Sequence, residues 1–155
     1  MRTGRRLAID VGKVRIGVAA SDFQAILASG LETVPRGAEL ESSLKRIIEL
    51  VDEIAPIEIY VGLPISMSGK HSSSTEDAVQ FAEQLSSLVI PEIRFIDERM
   101  TTITAANALK TSGRDSKSGR KIIDQIAATV ILEQAMEQEK STGAKPGKSI
   151  GEVHE

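Results

Sequence analysis

The sequence predicts an α/β protein built on one mixed sheet, and three observations carry that expectation. The first 35 or so residues hold three strand-period runs joined by turns too short for a crossover helix, which makes them antiparallel neighbours. Later, helical stripes alternate with short apolar runs, and such an order demands parallel strands with helices on the sheet faces. The 155 residues, 41% hydrophobic and 26% charged, suit a single domain with a real core. Aromatics are only 3%, so that core must be aliphatic.

In RRLAIDVGKVRIGVAAS, from Arg5 to Ser21, Leu7, Ile9 and Val11 share one side of a strand and Asp10 falls on the other. Gly12 ends the run, Lys13 and Val14 turn it, and Arg15–Ser21 returns. Asp22–Ala25 reads as a turn and Ile26–Val34 as a third strand, closed by Pro35 and Gly37. From Glu39 to Ile54, Leu40, Leu44, Ile47, Ile48 and Val51 recur at helical spacing. Pro56 separates that helix from a strand at Glu58–Leu63. Residues 65–75, ISMSGKHSSST, are Ser-rich and read as a loop.

A second helix follows from Glu76 to Leu88, then a fifth strand at Ile93–Asp97. Thr101 or Thr102 is the natural N-cap of a third helix reaching Leu109. Gly113–Gly119 is a polar break. The last helix, Arg120–Glu139, offers Ile122, Ile123, Ile126, Ala127, Val130 and Ile131 for packing. Residues 1–140 are therefore expected to be one domain. Ser141–Glu155, with Pro146 and three glycines, is expected to be a disordered tail.

The absence of Cys excludes disulfides, thiolate zinc sites and cysteine nucleophiles, and two histidines leave little for a histidine metal site. No run is long and apolar enough to span a membrane, and residues 1–20 lack a signal-peptide core; a soluble cytoplasmic protein is expected. The net charge of -3 conceals local basic regions. Five basic residues up to Arg15 face Asp10 alone, and Lys110, Arg114, Lys117, Arg120 and Lys121 face Asp115 and Asp124.

Three acidic positions are unusual: Asp10 in an apolar strand, Asp97-Glu98 closing the fifth strand, and Asp124 within the last helix. One turn beyond Asp124 come Ala127, Ala128 and Ile131, small or apolar residues that permit close approach to a sheet. If these groups meet, they form an all-oxygen cluster suited to Mg²⁺ or Mn²⁺, with Asp10 bridging and Glu98 and Asp124 flanking. Such ions can activate water at a phosphodiester. Arg15, Arg99, Arg114, Lys117 and Arg120 could then hold the phosphate backbone. The residues leave alternatives open. Asp10 could end the hairpin as an Asx turn, Asp124 could pair across helices, and either Asp97 or Glu98 could be the ligand. Asp22 suits turn capping better than a fourth ligand. The Ser-rich loop lacks Walker spacing, and His71 within it reads best as an exposed loop side chain that could also touch phosphate.

IDVGKVRIGVAASD at 9–22, VGLP at 61–64 with Gly69 beyond, DERMTT at 97–102 and IIDQIAATVIL at 122–132 together resemble the YqgF/RuvX family. Its members are described as Holliday junction resolvases or pre-16S ribosomal RNA nucleases with an RNase H-like fold. The resemblance implies a five-stranded mixed sheet, its first three strands antiparallel, with helices on both faces. It implies Asp10, Glu98 and Asp124 as catalytic metal ligands, and Arg15 and Arg99 as basic positions of the motifs. It further implies Mg²⁺ or Mn²⁺ and a nucleic-acid substrate, with structured RNA preferred and branched DNA the alternative. A junction resolvase would need a two-fold homodimer. Two rival readings exist. The DxGxxRIG start is also similar to actin-like ATPases and sugar kinases, which close two such domains around a nucleotide. The fold could also serve as a non-catalytic nucleic-acid or ribosome-assembly module, although clustered carboxylates oppose mere phosphate binding.

Overall fold

A computed structural model describes residues 1–37, 40–65, 71–97 and 116–153, with backbone alone for residues 40 and 116–121. Strands β1 (Arg6–Val11), β2 (Arg15–Ser21), β3 (Ala28–Pro35), β4 (Glu58–Leu63), β5 (Glu92–Asp97) and β6 (Lys148–Ser149) form one six-stranded sheet in the order β3-β2-β1-β4-β5-β6. The first three are antiparallel, and β1, β4 and β5 are parallel. Helices α1 (Leu40–Ile54) and α2 (Ser73–Ser86) cover one face, α3 (Ser116–Thr142) covers the other, and α4 (Ile150–Val153) follows β6. The expected α/β architecture with helices on both faces is what forms.

Strand alternation sorts the sheet into two cores. Leu7, Ile9, Ile16, Val18, Ile59 and Val61 pack against α1 and α2. Ala8, Ala19, Tyr60 and Ile96 pack against Ala128, Ile131, Leu132 and Ala135 of α3. The second core is made largely of small residues, so α3 lies close to the sheet. On α3 the buried stripe is Ala127, Ala128, Ile131, Leu132, Ala135 and Met136, whereas Ile122, Ile123, Ile126 and Val130 are only half-buried.

Four expectations are corrected. The polar break does not extend to Gly119, because α3 already runs from Ser116. The Ser-rich loop ends sooner than expected: Ser72 caps α2 in a capping box with Thr75, so Ser73, Ser74 and Thr75 are helical. Strand β3 starts at Ala28 rather than Ile26, because Asp22 Oδ1 accepts from the backbone N–H groups of Ile26 (2.7 Å) and Leu27 (3.1 Å) and holds them in the turn. The segment expected to be a disordered tail instead adds β6, antiparallel to β5. The buried Arg94 side chain donates to the carbonyls of Pro146 (2.6 Å) and Gly147 (3.0 Å), which pins that segment. Gly143, at φ 72°, ends α3 with its N–H on the Glu139 carbonyl. The helix expected from Thr101 or Thr102 lies outside the described residues.

The amino-terminal segment is fastened to α3 by buried charge. Glu139, 2% exposed, accepts from Arg2 at 2.6 Å and from the fully buried Arg6 at 2.9 Å. Arg2 also reaches Glu58 at 2.8 Å, and the Tyr60 hydroxyl donates to Glu58 at 2.9 Å. Burial and the adjacent Glu58 push the Tyr60 phenol upward.

Candidate active site

The carboxyl ends of the parallel strands β1, β4 and β5 finish together at Val11, Leu63 and Asp97, where open α/β sheets gather ligands. Asp10 lies one residue before the end of β1. By alternation it shares the face of Ala8, so its side chain is on the α3 side. Its register partner on β2 is Gly17, which faces the same way.

Gly17 brings Asp124 to this place. A Cβ on Gly17 would fall inside contact distance of the Asp124 backbone carbonyl and 3.1 Å from Asp124 Cα. The α3 backbone therefore rests on the one residue of β2 that has no side chain, directly across from Asp10. Gly30 on β3 makes a similar allowance for the next helix residue: a Cβ there would lie 2.8 Å from Gln125 Oε1. Gln125 in turn donates to Thr33 Oγ1 at 3.0 Å, tying the first turns of α3 to the sheet. Asp124 also shares its helix stripe with Ala128, Ile131 and Ala135, so it points toward the sheet.

Arg15 completes the described part of the site. Its Nε donates to Asp124 Oδ2 at 2.7 Å, with the side chains 28% and 16% exposed. A residue expected to hold substrate phosphate thus neutralises a carboxylate. At the hairpin, the Gly12 N–H donates to the Arg15 carbonyl at 3.0 Å. Arg36, which no sequence pattern singles out, donates to the Gly12 carbonyl at 2.9 Å. It also forks onto Asp77 of α2 at 2.7 and 3.1 Å. Arg36 thereby locks the loop that follows Asp10.

Of the expected site residues, Arg15 and Asp124 pair, and Asp10 lies on the same sheet face, across from the Gly17 on which the Asp124 backbone rests. Glu98, Arg99 and Arg114 lie outside the described residues. Lys117 and Arg120 are on the first turns of α3, and only their backbone is described. Asp97 takes the face of Phe95, opposite that of Ile96 and Asp10, so strand alternation does not bring it to the Asp10 cluster. Asp22, at the far end of β2, is a turn cap; the Leu27 and Ile26 N–H groups hold its carboxyl below the usual carboxylate range. His71 is exposed and bridges Ile65.

Among the described residues no three acidic or histidine side chains form a metal cluster. What Asp10 and Asp124 do offer is hard carboxylate oxygen near the carboxyl end of β1. That donor chemistry fits Mg²⁺ or Mn²⁺ and fits soft metals poorly. No helix among the described residues is long and apolar enough to cross a membrane.

Comparison with known proteins shows what the chain as a whole is similar to. A family model described as RuvX, Holliday junction resolvase, matches residues 4–138. A Clavibacter sepedonicus protein named as a candidate pre-16S rRNA nuclease is 46% identical, covering 97% of this chain and 93% of its own. A Leifsonia xyli subsp. xyli protein bearing the same name is 47% identical, covering 97% and 96%. Among solved structures, Thermus thermophilus RuvC in complex with a Holliday junction substrate aligns with a TM-score of 0.57 at 17% identity. That alignment covers 92% of this chain and 99% of RuvC, and it speaks to the fold alone.

Proposed function

The chain belongs to the RuvX family, and from that membership and the Asp10–Asp124 juxtaposition we propose that it is a metal-dependent nuclease that matures the 5′ end of pre-16S ribosomal RNA. The observation that carries the mechanism is the bare Gly17 surface, which lets α3 set Asp124 on the same sheet face as Asp10. Asp10 and Asp124, joined by Glu98, would hold one or two Mg²⁺ or Mn²⁺ ions. When bound, such ions supply an activated water and charge stabilisation at a phosphodiester.

The chain's own residues do the rest. Asp10 is held in place by the sheet on both sides, since β1 lies between β2 and β4, and by Arg36 on the loop beyond it. Asp124 keeps its position through the close contact of α3 with Gly17. Arg15 balances the charge of Asp124 and, on the same edge, can pass its guanidinium to a substrate phosphate. Arg99, Arg114, Lys117 and Arg120 are the further basic residues assigned to grip the substrate backbone, a contact that carries no sequence reading. Such a role belongs in the cytoplasm.

The relatives' names favour RNA, while the family description supports a second reading, a homodimer that cuts branched DNA at two symmetric strands. Cleavage of a labelled RNA carrying the 5′ leader of small-subunit ribosomal RNA, beside a four-way DNA junction, tests the choice. With Mn²⁺ the RNA is cut and the junction is not, and Asp10→Asn cuts neither. Symmetric nicking of the junction with the RNA intact would replace this reading by the second.

A further inference from the structure

A cleft beside the site offers a pair of hydrogen-bonding groups that the nuclease chemistry leaves unused. Strand β6 pairs with β5 at Arg94 and Phe95, and among the described residues no strand pairs with that edge of β5 beyond them. There the end of β5, α3 and the carboxy-terminal segment enclose about 470 Å³, within the usual range of small-ligand pockets. Ile65, Ile96 and Val153 contribute apolar wall, and Lys148 stands at the rim.

Two glutamines one helical turn apart line it with their amide orientations fixed by backbone partners. Gln134 Nε2 donates to the Asp97 carbonyl at 3.2 Å, which leaves its own Oε1 as an acceptor. Gln138 Oε1 accepts from the Gly147 N–H at 2.6 Å, which leaves its NH₂ as a donor. An adjacent acceptor and donor over an apolar wall match the Watson–Crick edge of an unpaired base.

The position suits a nucleotide near the cut. Ile9 is level with Val61, and Val61 with Phe95, so one residue on, Asp10, Gly62 and Ile96 share a level. Two strand spacings separate β1 from β5, roughly 10 Å. A strand whose phosphate lies at Asp10 can therefore place a neighbouring base in the cleft. We propose that this cleft receives one unstacked base of the RNA substrate, with Gln134 and Gln138 on its edge and Lys148 toward its phosphate. This deepens the RNA-nuclease reading and rests on it.

The test is a titration of ¹⁵N-labelled full chain with the four ribonucleosides, with ribose as the base-free control. The side-chain amides of Gln134 and Gln138 shift saturably with at least one nucleoside and not with ribose. Gln138→Glu keeps an acceptor for the Gly147 N–H and replaces the amide donor by a carboxylate, so the Gly147 amide stays protected from hydrogen exchange while nucleoside affinity falls about tenfold. Absence of shifts at both glutamines, equal shifts with ribose, or unchanged affinity in Gln138→Glu each overturns the proposal. Cleavage is not read in this experiment. Nucleoside binding without RNA cleavage would refute the proposed function alone, and RNA cleavage without nucleoside binding would refute the cleft alone.

Discussion

Gly17→Ala adds one methyl group where the α3 backbone touches the sheet, and its effect can be worked through. The new Cβ would meet the Asp124 carbonyl well inside van der Waals distance and lie 3.1 Å from its Cα. Ordinary carbon contact needs about 3.5–4.0 Å, so the helix must recede by at least about 1 Å. The neighbouring contact is backbone, with no flexible side-chain tip to turn aside. Overpacking of this kind costs about 1–3 kcal/mol of stability. The larger effect falls on the site: a misplacement of about 1 Å can lower catalysis by roughly 10²-fold. Urea denaturation measures the first, and single-turnover cleavage at saturating RNA measures the second. The variant folds, loses about two orders of magnitude in rate, and binds RNA nearly as well as the parent. A Gly17→Ala protein that cleaves at the parental rate would refute the argument that this glycine sets the Asp124 position.

Glu139→Ala leaves Arg6 buried without its carboxylate and is expected to cost about 3–5 kcal/mol, read as a shift in the urea midpoint. Acid should weaken the same tie. Burial pushes the Glu139 carboxyl up, but the Arg2 hydrogen bonds and the charges of Arg6 and Arg2 outweigh it and leave the value below the ordinary 4.5. Its stabilisation is therefore complete above that value and is lost as pH falls through the lower folded one, so thermal midpoints should fall below about pH 4.5 less steeply in Glu139→Gln than in the parent. Arg15→Ala removes the partner of Asp124 and should weaken RNA affinity while leaving folding intact, as seen by RNA titration beside circular dichroism.

Much of the fold could be read from periodicity. Short apolar runs bounded by turn residues located β2 and β4 to the residue, and the short joins set the antiparallel start. Where the sequence misled, side chains bonded to backbone decided the outcome. Arg94 reaches the carbonyls of Pro146 and Gly147, and no pattern of hydrophobicity announces a two-residue strand held that way. Ser72 stopped the loop early through a capping box whose second member is Thr75 rather than the more usual Glu or Gln.

The candidate site was legible in its carboxylates, because Asp10 in an apolar strand and Asp124 before small residues are both out of place unless they meet something. The role of Gly17 was not, since it depends on which β2 residue lies under α3 as well as on its pairing with Asp10. Arg36 was hidden for a similar reason: its partners, Gly12 and Asp77, are far away in sequence.

The most direct test of the central claim, that Asp10 and Asp124 meet to hold a divalent ion, is calorimetric titration of Mn²⁺ into the purified chain without RNA. Saturable binding is expected in the parent, strongly weakened in Asp10→Asn and in Asp124→Asn, with both variants folded. Mn²⁺ binding that is unchanged in both variants would show that the two carboxylates do not form the metal site.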